Sequence, residues 1–365
     1  MQSISQIDNN FALETSISRE GLKFYDAENT PFQIHGLIVE NGKYRRMPEE
    51  AAKKVSDGVF ALHACSPGGR VRFVTDSPYV AIKVVSNPIG KTSRAGLAGS
   101  CGFDMYSEYE GESRYEGTFL PPFDIVDGFE SVKDFKVPKL RTLTINFPSY
   151  SEVLKLYIGL KDGALLAPAP KYTVEKPVVY YGSSVTQGGC AAKPGSTYQS
   201  ILSRWFDCDY INLGFSGSAK GEDAITEYIC NLDMSIFVLD YDYNAPTPEH
   251  LKSTHGKMYR RVREVHPNLP IVMMTRPKYY LDELETEFAS IVYDTYCSAK
   301  NAGDNDVYFI SGKKLLELVK DNGTVDGCHP TDSGFFSMAC AIREVFEVIF
   351  KKWQANTPRF TGRSF

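Results

Sequence analysis

Apolar residues follow two rhythms along the chain. From Leu22 to about Ile158 they alternate in short segments such as Val71/Phe73, Val80/Ile82/Val84, Leu143/Ile145/Phe147 and Leu154/Leu156/Ile158. Arg70, Arg72, Lys83, Thr142 and Thr144 fall between them. A period of two predicts strands with one face in a core and the other in water. Roughly ten such segments suit a β-sandwich or jelly roll. His35 and His63 fall in this region and read as strand residues, and Pro48 to Val55 is its one plausible helix. Gly163–Lys171, with Pro168 and Pro170, breaks the alternation. The break predicts a linker between an amino-terminal domain, 1–170, and a second domain, 171–365.

After the linker, strand and helix alternate. Strands are expected near 178–182, 209–213, 235–241, 270–275 and 307–310. A helix is expected over Thr197 to Phe206. Another begins near Glu249 and presents Leu251, His255, Met258, Val262 and Val265 as a stripe. The last carries Phe335, Met338, Ala339, Ile342, Phe346 and Ile349 behind Asp332 as an expected cap. This order predicts an α/β domain of three layers, a flavodoxin-like parallel sheet between helices.

In such a sheet the carboxyl ends of the strands deliver polar side chains to a ligand. The first strand runs into Gly182-Ser183-Ser184, which makes both serines candidates. The second ends in Asn212-Leu213-Gly214-Phe215-Ser216-Gly217-Ser218 and the third in Asp240-Tyr241-Asp242-Tyr243-Asn244. Before the last helix stands Asp326-Gly327-Cys328-His329. A serine hydroxyl needs a base to become a nucleophile, and histidine serves near neutral pH. Of six histidines, His329 alone lies in a loop at this edge, because His250, His255 and His266 sit on or at the end of one helix. Asp326 can orient its imidazole. The Ser184 N–H, the Gly217 N–H and the Asn244 amide supply candidate donors to a developing oxyanion. Taken singly, each of these pieces is also an ordinary turn: Gly-Ser-Ser a bend, Asn244 a turn start, Gly214 and Gly217 sites of positive φ or close packing.

Composition narrows the partners. The 365 residues carry a net charge of −5, against nucleic acid or an anionic membrane surface and in favour of a small or neutral ligand. Eight scattered cysteines lack the spacing of a disulfide or metal framework, and Cys328 reads as a packing residue. Residues 1–16 show neither the basic nor the apolar region of a secretory signal, and no apolar run reaches membrane-spanning length. A soluble, cytoplasmic protein is expected.

As a set, the four loops resemble those of the SGNH (GDSL-like) hydrolases. Gly182-Ser183-Ser184 stands where that family has Gly-Asp-Ser, which implies Ser184 as nucleophile and Ser183 in the Asp position. Gly217 matches the glycine of the second block, Asn244 the asparagine of the third, and Asp326 with His329 the last. The third block departs from the usual Gly-x-Asn-Asp, reading Asp242-Tyr243-Asn244-Ala245. The resemblance spans about 176–350, and Thr-Gln-Gly after the serines is similar to a branch with an amino-terminal jelly roll and relatives among carbohydrate acetylesterases. It implies a serine esterase that removes acetyl groups from small-molecule or oligosaccharide esters, with no metal and no organic cofactor.

Three alternatives make different demands. A lipase or thioesterase needs a long acyl channel. A flavodoxin-like binding protein would use the Gly-Ser-Ser loop as a phosphate cradle, although the G-x-x-x-x-G-K-[ST] pattern is absent. The flavodoxin-like reading would also leave Asp326 and His329 idle, and a carbohydrate-binding protein with a silent hydrolase domain would have no use for the intact set of four loops. Tyr106, Tyr109, Tyr115, Phe119 and Phe123 fit a sugar-stacking face or simply strand and core positions.

Overall fold

The computed structural model describes residues 14–356. The leader reading of 1–16 therefore lies, for residues 1–13, outside the described residues. The alternating first half forms two main antiparallel sheets, besides a short pair of strands, Ile38–Glu40 with Lys43–Arg45. One orders Leu22–Asp26, Val153–Lys161, Tyr79–Ser86 and Gly128–Asp134. The other orders Leu166–Ala167, Arg70–Thr75, Arg141–Asn146, Phe103–Tyr109 and Glu112–Phe119, with Gln33–His35 also on Arg70–Thr75. Register explains the core. Leu143 lies opposite Phe73, Ile145 opposite Val71 and Met105, and Ile158 opposite Ile82. All of these side chains are fully buried, as alternation requires of a sandwich.

The polar partners depart from expectation at two positions. Arg70 and Arg72 are buried rather than solvated. Arg72 pairs with Glu108 at 2.7 Å and donates to the Pro170 carbonyl at 2.9 Å, and Arg70 donates to the Gly68 carbonyl. The proline-rich stretch thus adds a short strand and a carbonyl to the sandwich.

The second unit holds a five-stranded parallel sheet in the order second, first, third, fourth, fifth: Cys208–Gly214, Val174–Gly182, Ile236–Asp240, Ile271–Met274 and Val307–Ile310. That is the flavodoxin-like order, whose ligand crevice opens between the first and third strands. Both faces are apolar. Val179, Tyr181, Leu213, Phe237, Leu239, Ile271 and Met273 join one core, and Val178, Tyr180, Tyr210, Ile236, Val238, Val272 and Met274 join the other. Pro248–Val265 and Glu283–Asn301 cover the first face, Tyr198–Phe206 and Asp332–Asn356 the second.

Several local expectations change. The contacts do not follow one cut near residue 170, because Met47–His63 clusters with the second unit and Lys193–Gly195 with the first. Glu49–Val55 is followed by a second helix, Asp57–Leu62, and Ala52 and Val59 enter the core beside Ile225 and Ile229. His63 caps that second helix and is not a strand residue. Val265, at the end of its stripe, is exposed. Asp332 does not cap the last helix: its carboxylate accepts from Ala192 N–H and Ser196 Oγ, both at 2.8 Å, while Thr331 Oγ1 accepts from Gly334 N–H. The eight cysteines form no disulfide. Among the described residues no helix is long and apolar enough to cross a membrane.

At the crevice the strands end level. Gly182 lies beside Gly214 on one side and Asp240 on the other, so three loops leave the sheet at one height. Here the backbones pack so closely that a Cβ on Gly214 would sit 2.2 Å from Gln187 N and 2.6 Å from the Thr186 carbonyl carbon. Neither backbone atom can rotate away. Gly214→Ala is expected to destabilise the protein by about 1–3 kcal/mol in denaturant unfolding, the scale of overpacking. Unchanged stability would show that the approach is not tight.

Candidate functional site

Ser183 follows the first strand with extended backbone, and its Oγ accepts from Val185 N–H at 3.2 Å, capping the single-turn helix Ser184–Gln187. Ser183 is wholly buried, whereas Ser184 begins the helix and retains 8% exposure. The two candidate serines therefore differ: the Ser183 hydroxyl is consumed by the turn, whereas Ser184 keeps a small exposed area. Gly188, at φ 95°, closes the turn in the left-handed conformation and donates to the Ser184 and Val185 carbonyls.

So short a helix leaves orphan carbonyls. The Thr186 carbonyl is taken by Gln199 Nε2 and Asn212 Nδ2, each at 2.7 Å. Gln187 Oε1 accepts from Ser216 N–H at 3.0 Å, tying the serine turn to the second loop. Asn212 Oδ1 in turn accepts from Gly214 N–H at 2.9 Å.

His329 Nε2 lies 2.9 Å from Ser184 Oγ, across 145 residues of sequence. Its Nδ1 lies 2.9 Å from Asp326 Oδ2 and 3.1 Å from Oδ1. A carboxylate there accepts Nδ1–H, so Nε2 carries the lone pair that takes the serine proton. The loop holds this pose itself. Asp326 Oδ1 accepts from Cys328 N–H and His329 N–H at 3.2 and 2.9 Å, Gly327 turns at φ 82°, and Val325 N–H donates to the His329 carbonyl at 2.8 Å.

The expected donors lie in the second and third loops. Gly217 sits at φ 69° with open space where a Cβ would point. The Phe215 carbonyl collects Ser218 N–H, Ala219 N–H and, at 2.9 Å, Asn244 Nδ2. That bond uses one Asn244 amide hydrogen, and no described residue engages the other. Asn244 is thus fixed against the second loop with one donor to spare.

Three buried ionisable residues lie beneath these loops: Asp240 and Asp242, which the sequence places in the third loop without a role, and Arg276, which it does not single out. Asp240 Oδ2 accepts from Thr186 Oγ1 at 3.0 Å. Burial, with Asp242 nearby, holds its carboxyl well above the usual range. Asp242 meets Arg276 three times: Oδ2 accepts from Arg276 N–H at 3.0 Å and from Nε at 3.2 Å, and its carbonyl accepts from Nη2 at 3.0 Å. Burial raises Asp242 and Arg276 pulls it back. The available signal was a charged residue at or just beyond the end of an apolar run, in Ile236-Phe-Val-Leu-Asp240 and again in Ile271-Val-Met-Met-Thr-Arg276. His255, also buried, is pushed down to about 3 by desolvation and donates or accepts only at Thr295. Burial raises the Cys328 thiol.

The aromatic cluster divides. Tyr106 and Phe119 are buried, and the Tyr109 ring is covered by Arg114 and Lys139 at 3.9 and 3.7 Å. Tyr115 and Phe123 are exposed. Among the described residues, no cluster of three His, Cys, Asp or Glu side chains could hold a metal ion.

The raised carboxyl of Asp240 has a pH signature. A carboxyl raised on folding contributes stability fully below its unfolded value of about 3.9 and loses it as pH rises through the folded value. Asp240→Asn mimics the neutral acid without that loss. Its stability relative to the natural protein should therefore increase from pH 4 to pH 7 in thermal unfolding; a relative decrease would mean that the native carboxyl is ionised.

Residues 175–347 match the GDSL-like lipase/acylhydrolase family, and residues 22–166 match the N-terminus of SGNH-hydrolase-type esterases. Among solved structures, a protein described as a GDSL-like lipase from Bacteroides ovatus is 24% identical, with a TM-score of 0.82 over 90% of this chain and 98% of that one. A salicylyl-acyltransferase from a tetracycline biosynthetic pathway is 18% identical, with a TM-score of 0.74 over 91% and 98%. A family two carbohydrate esterase from Cellvibrio japonicus is 14% identical, with a TM-score of 0.60 over 90% and 98%. At these identities the structural likeness shows a shared fold. No curated protein matches by sequence.

Proposed function

The chain belongs to the SGNH, or GDSL-like, hydrolases, and from that premise we propose that it is a serine carboxylic-ester hydrolase removing acetyl groups from carbohydrates. The observation that carries the chemistry is the continuous chain Ser184 Oγ, His329 Nε2, His329 Nδ1, Asp326, with both links at 2.9 Å.

His329 Nε2 takes the Ser184 proton as Oγ bonds to the ester carbonyl carbon. The carbonyl electron pair moves onto oxygen, where the Ser184 N–H, the Gly217 N–H and the free Asn244 amide hydrogen can meet it. Such donors contribute about 10²-fold or more each when preorganised. Collapse breaks the bond to the sugar oxygen, which leaves with the proton from Nε2, and Ser184 carries the acyl group. Water then loses a proton to His329 and attacks in turn, freeing the acid. Asp326 keeps the imidazole in the tautomer this requires and stabilises the imidazolium.

The carbohydrate assignment rests on kinship and plan. A β-sandwich unit before the SGNH unit is shared with a family two carbohydrate esterase over most of both chains. The acidic net charge agrees with a neutral acetylated sugar rather than an anionic one.

Ser184→Ala should lower p-nitrophenyl acetate turnover by about 10³-fold or more, because the nucleophile works as a unit with its base. Ser183→Ala should retain most activity and lose about 1 kcal/mol of stability with its cap. Activity lost in Ser183→Ala and kept in Ser184→Ala would overturn the roles. In a series of p-nitrophenyl esters, kcat/KM should fall from acetate to octanoate; a rise would favour the lipase or thioesterase reading.

A further inference from the structure

Arg276 lies behind the site, 7% exposed, on the loop that follows the fourth strand. Its backbone is fixed from the fifth strand. Thr275 N–H donates to the Ile310 carbonyl at 3.2 Å, Gly312 N–H donates to Thr275 Oγ1 at 2.7 Å, and a Cβ on Gly312 would strike the Arg276 carbonyl oxygen at 1.7 Å. From this anchor the guanidinium reaches across to the third loop. It grips both the carboxylate and the carbonyl of Asp242, and its Cζ lies 4.8 Å from the ring centroid of Tyr243 and 4.5 Å from that of Phe288.

The consequences run two residues further. Asp242, Tyr243 and Asn244 form one turn of 3-10 helix, so clamping the first residue sets the direction of the third. Asn244 N–H donates back to the Tyr241 carbonyl at 2.9 Å, and its side chain ends on the Phe215 carbonyl. Tyr243, held under the guanidinium, also neighbours the Cys328 thiol inside the Asp326–His329 loop. One cation therefore touches the support of both the donor loop and the base loop, without reaching the serine. A hydrophobic pair could fill the same space, but it could not supply a planar fork with donors to a carboxylate and a carbonyl at once.

We propose that Arg276, through Asp242, is a positioning residue that aims the Asn244 amide at the oxyanion, an inference that rests on the esterase reading above. It predicts coupling, not merely a stability loss. Arg276→Lys keeps the charge and loses the fork. It should lower kcat for p-nitrophenyl acetate by about tenfold or more, the scale on which small misplacements of catalytic groups act, with KM within about threefold and a folded protein by circular dichroism. In an Asn244→Ala background the same substitution should change kcat by less than about threefold, because the group it aims is gone. Asp242→Asn, which keeps an acceptor oxygen, serves as the second variant and should show the same non-additivity. Full multiplicative losses in the double variants, or unchanged kcat in both Arg276→Lys and Asp242→Asn, would overturn the proposal. If Asn244→Ala alone leaves kcat unchanged, the failure instead lies in the assignment of Asn244 as a donor.

Discussion

The site depends on how closely three strand ends approach one another. Gly182 lies level with Gly214 and Asp240, and at neither glycine is there room for a Cβ: one on Gly182 would fall 2.1 Å from the Asp240 carbonyl oxygen and from Thr186 Oγ1. This contact lets the Ser184–Gln187 turn settle against the second strand, where its orphan carbonyl finds Asn212 and its Gln187 side chain finds the second loop. Were the approach looser, the serine, the Gly217 loop and the Asn244 loop would leave the sheet at different heights, and the three donors proposed for the oxyanion could not converge.

Beneath that contact lies a layer of buried polar groups with no role in water. Asp240 accepts from the Thr186 hydroxyl, and Asp242 is paired with Arg276. Removing one partner of such a buried pair costs about 3–5 kcal/mol because the other charge remains. This layer exchanges some stability for fixed geometry, which is what transition-state donors require. The loop carrying Asp326 and His329 is more self-contained, since the aspartate carboxylate both shapes its turn and orients the imidazole.

The architecture was legible where side-chain periodicity is set by one interface. Strand alternation gave the sandwich, and apolar runs bounded by Gly and Ser gave the five parallel strands within a few residues. It failed where burial has a second source. Arg70 and Arg72 occupy solvent positions in the alternation, yet Glu108 and the chain near Pro170 cover them. Met47–His63 joins the second unit through Ala52 and Val59, a long-range contact that no local pattern announces. Ser184, Asp326 and His329 could be named from loop position and family likeness, and the structure brings their side chains into contact. The resemblance already set Ser184 apart from Ser183, and the structure adds the physical difference: the turn consumes the Ser183 hydroxyl as its cap. Asp242 was visible solely as a departure from the third block, because its partner Arg276 lies 34 residues away on another strand end.

The central claim is that Ser184, activated by His329, forms a covalent bond to the acyl carbon. The most direct measurement is labelling of the folded protein with a fluorophosphonate, followed by mass mapping of the peptide that spans both serines. A single adduct on Ser184, lost when His329 is replaced by alanine, is the predicted result. An adduct on Ser183, or labelling of Ser184 at an undiminished rate without His329, would contradict it.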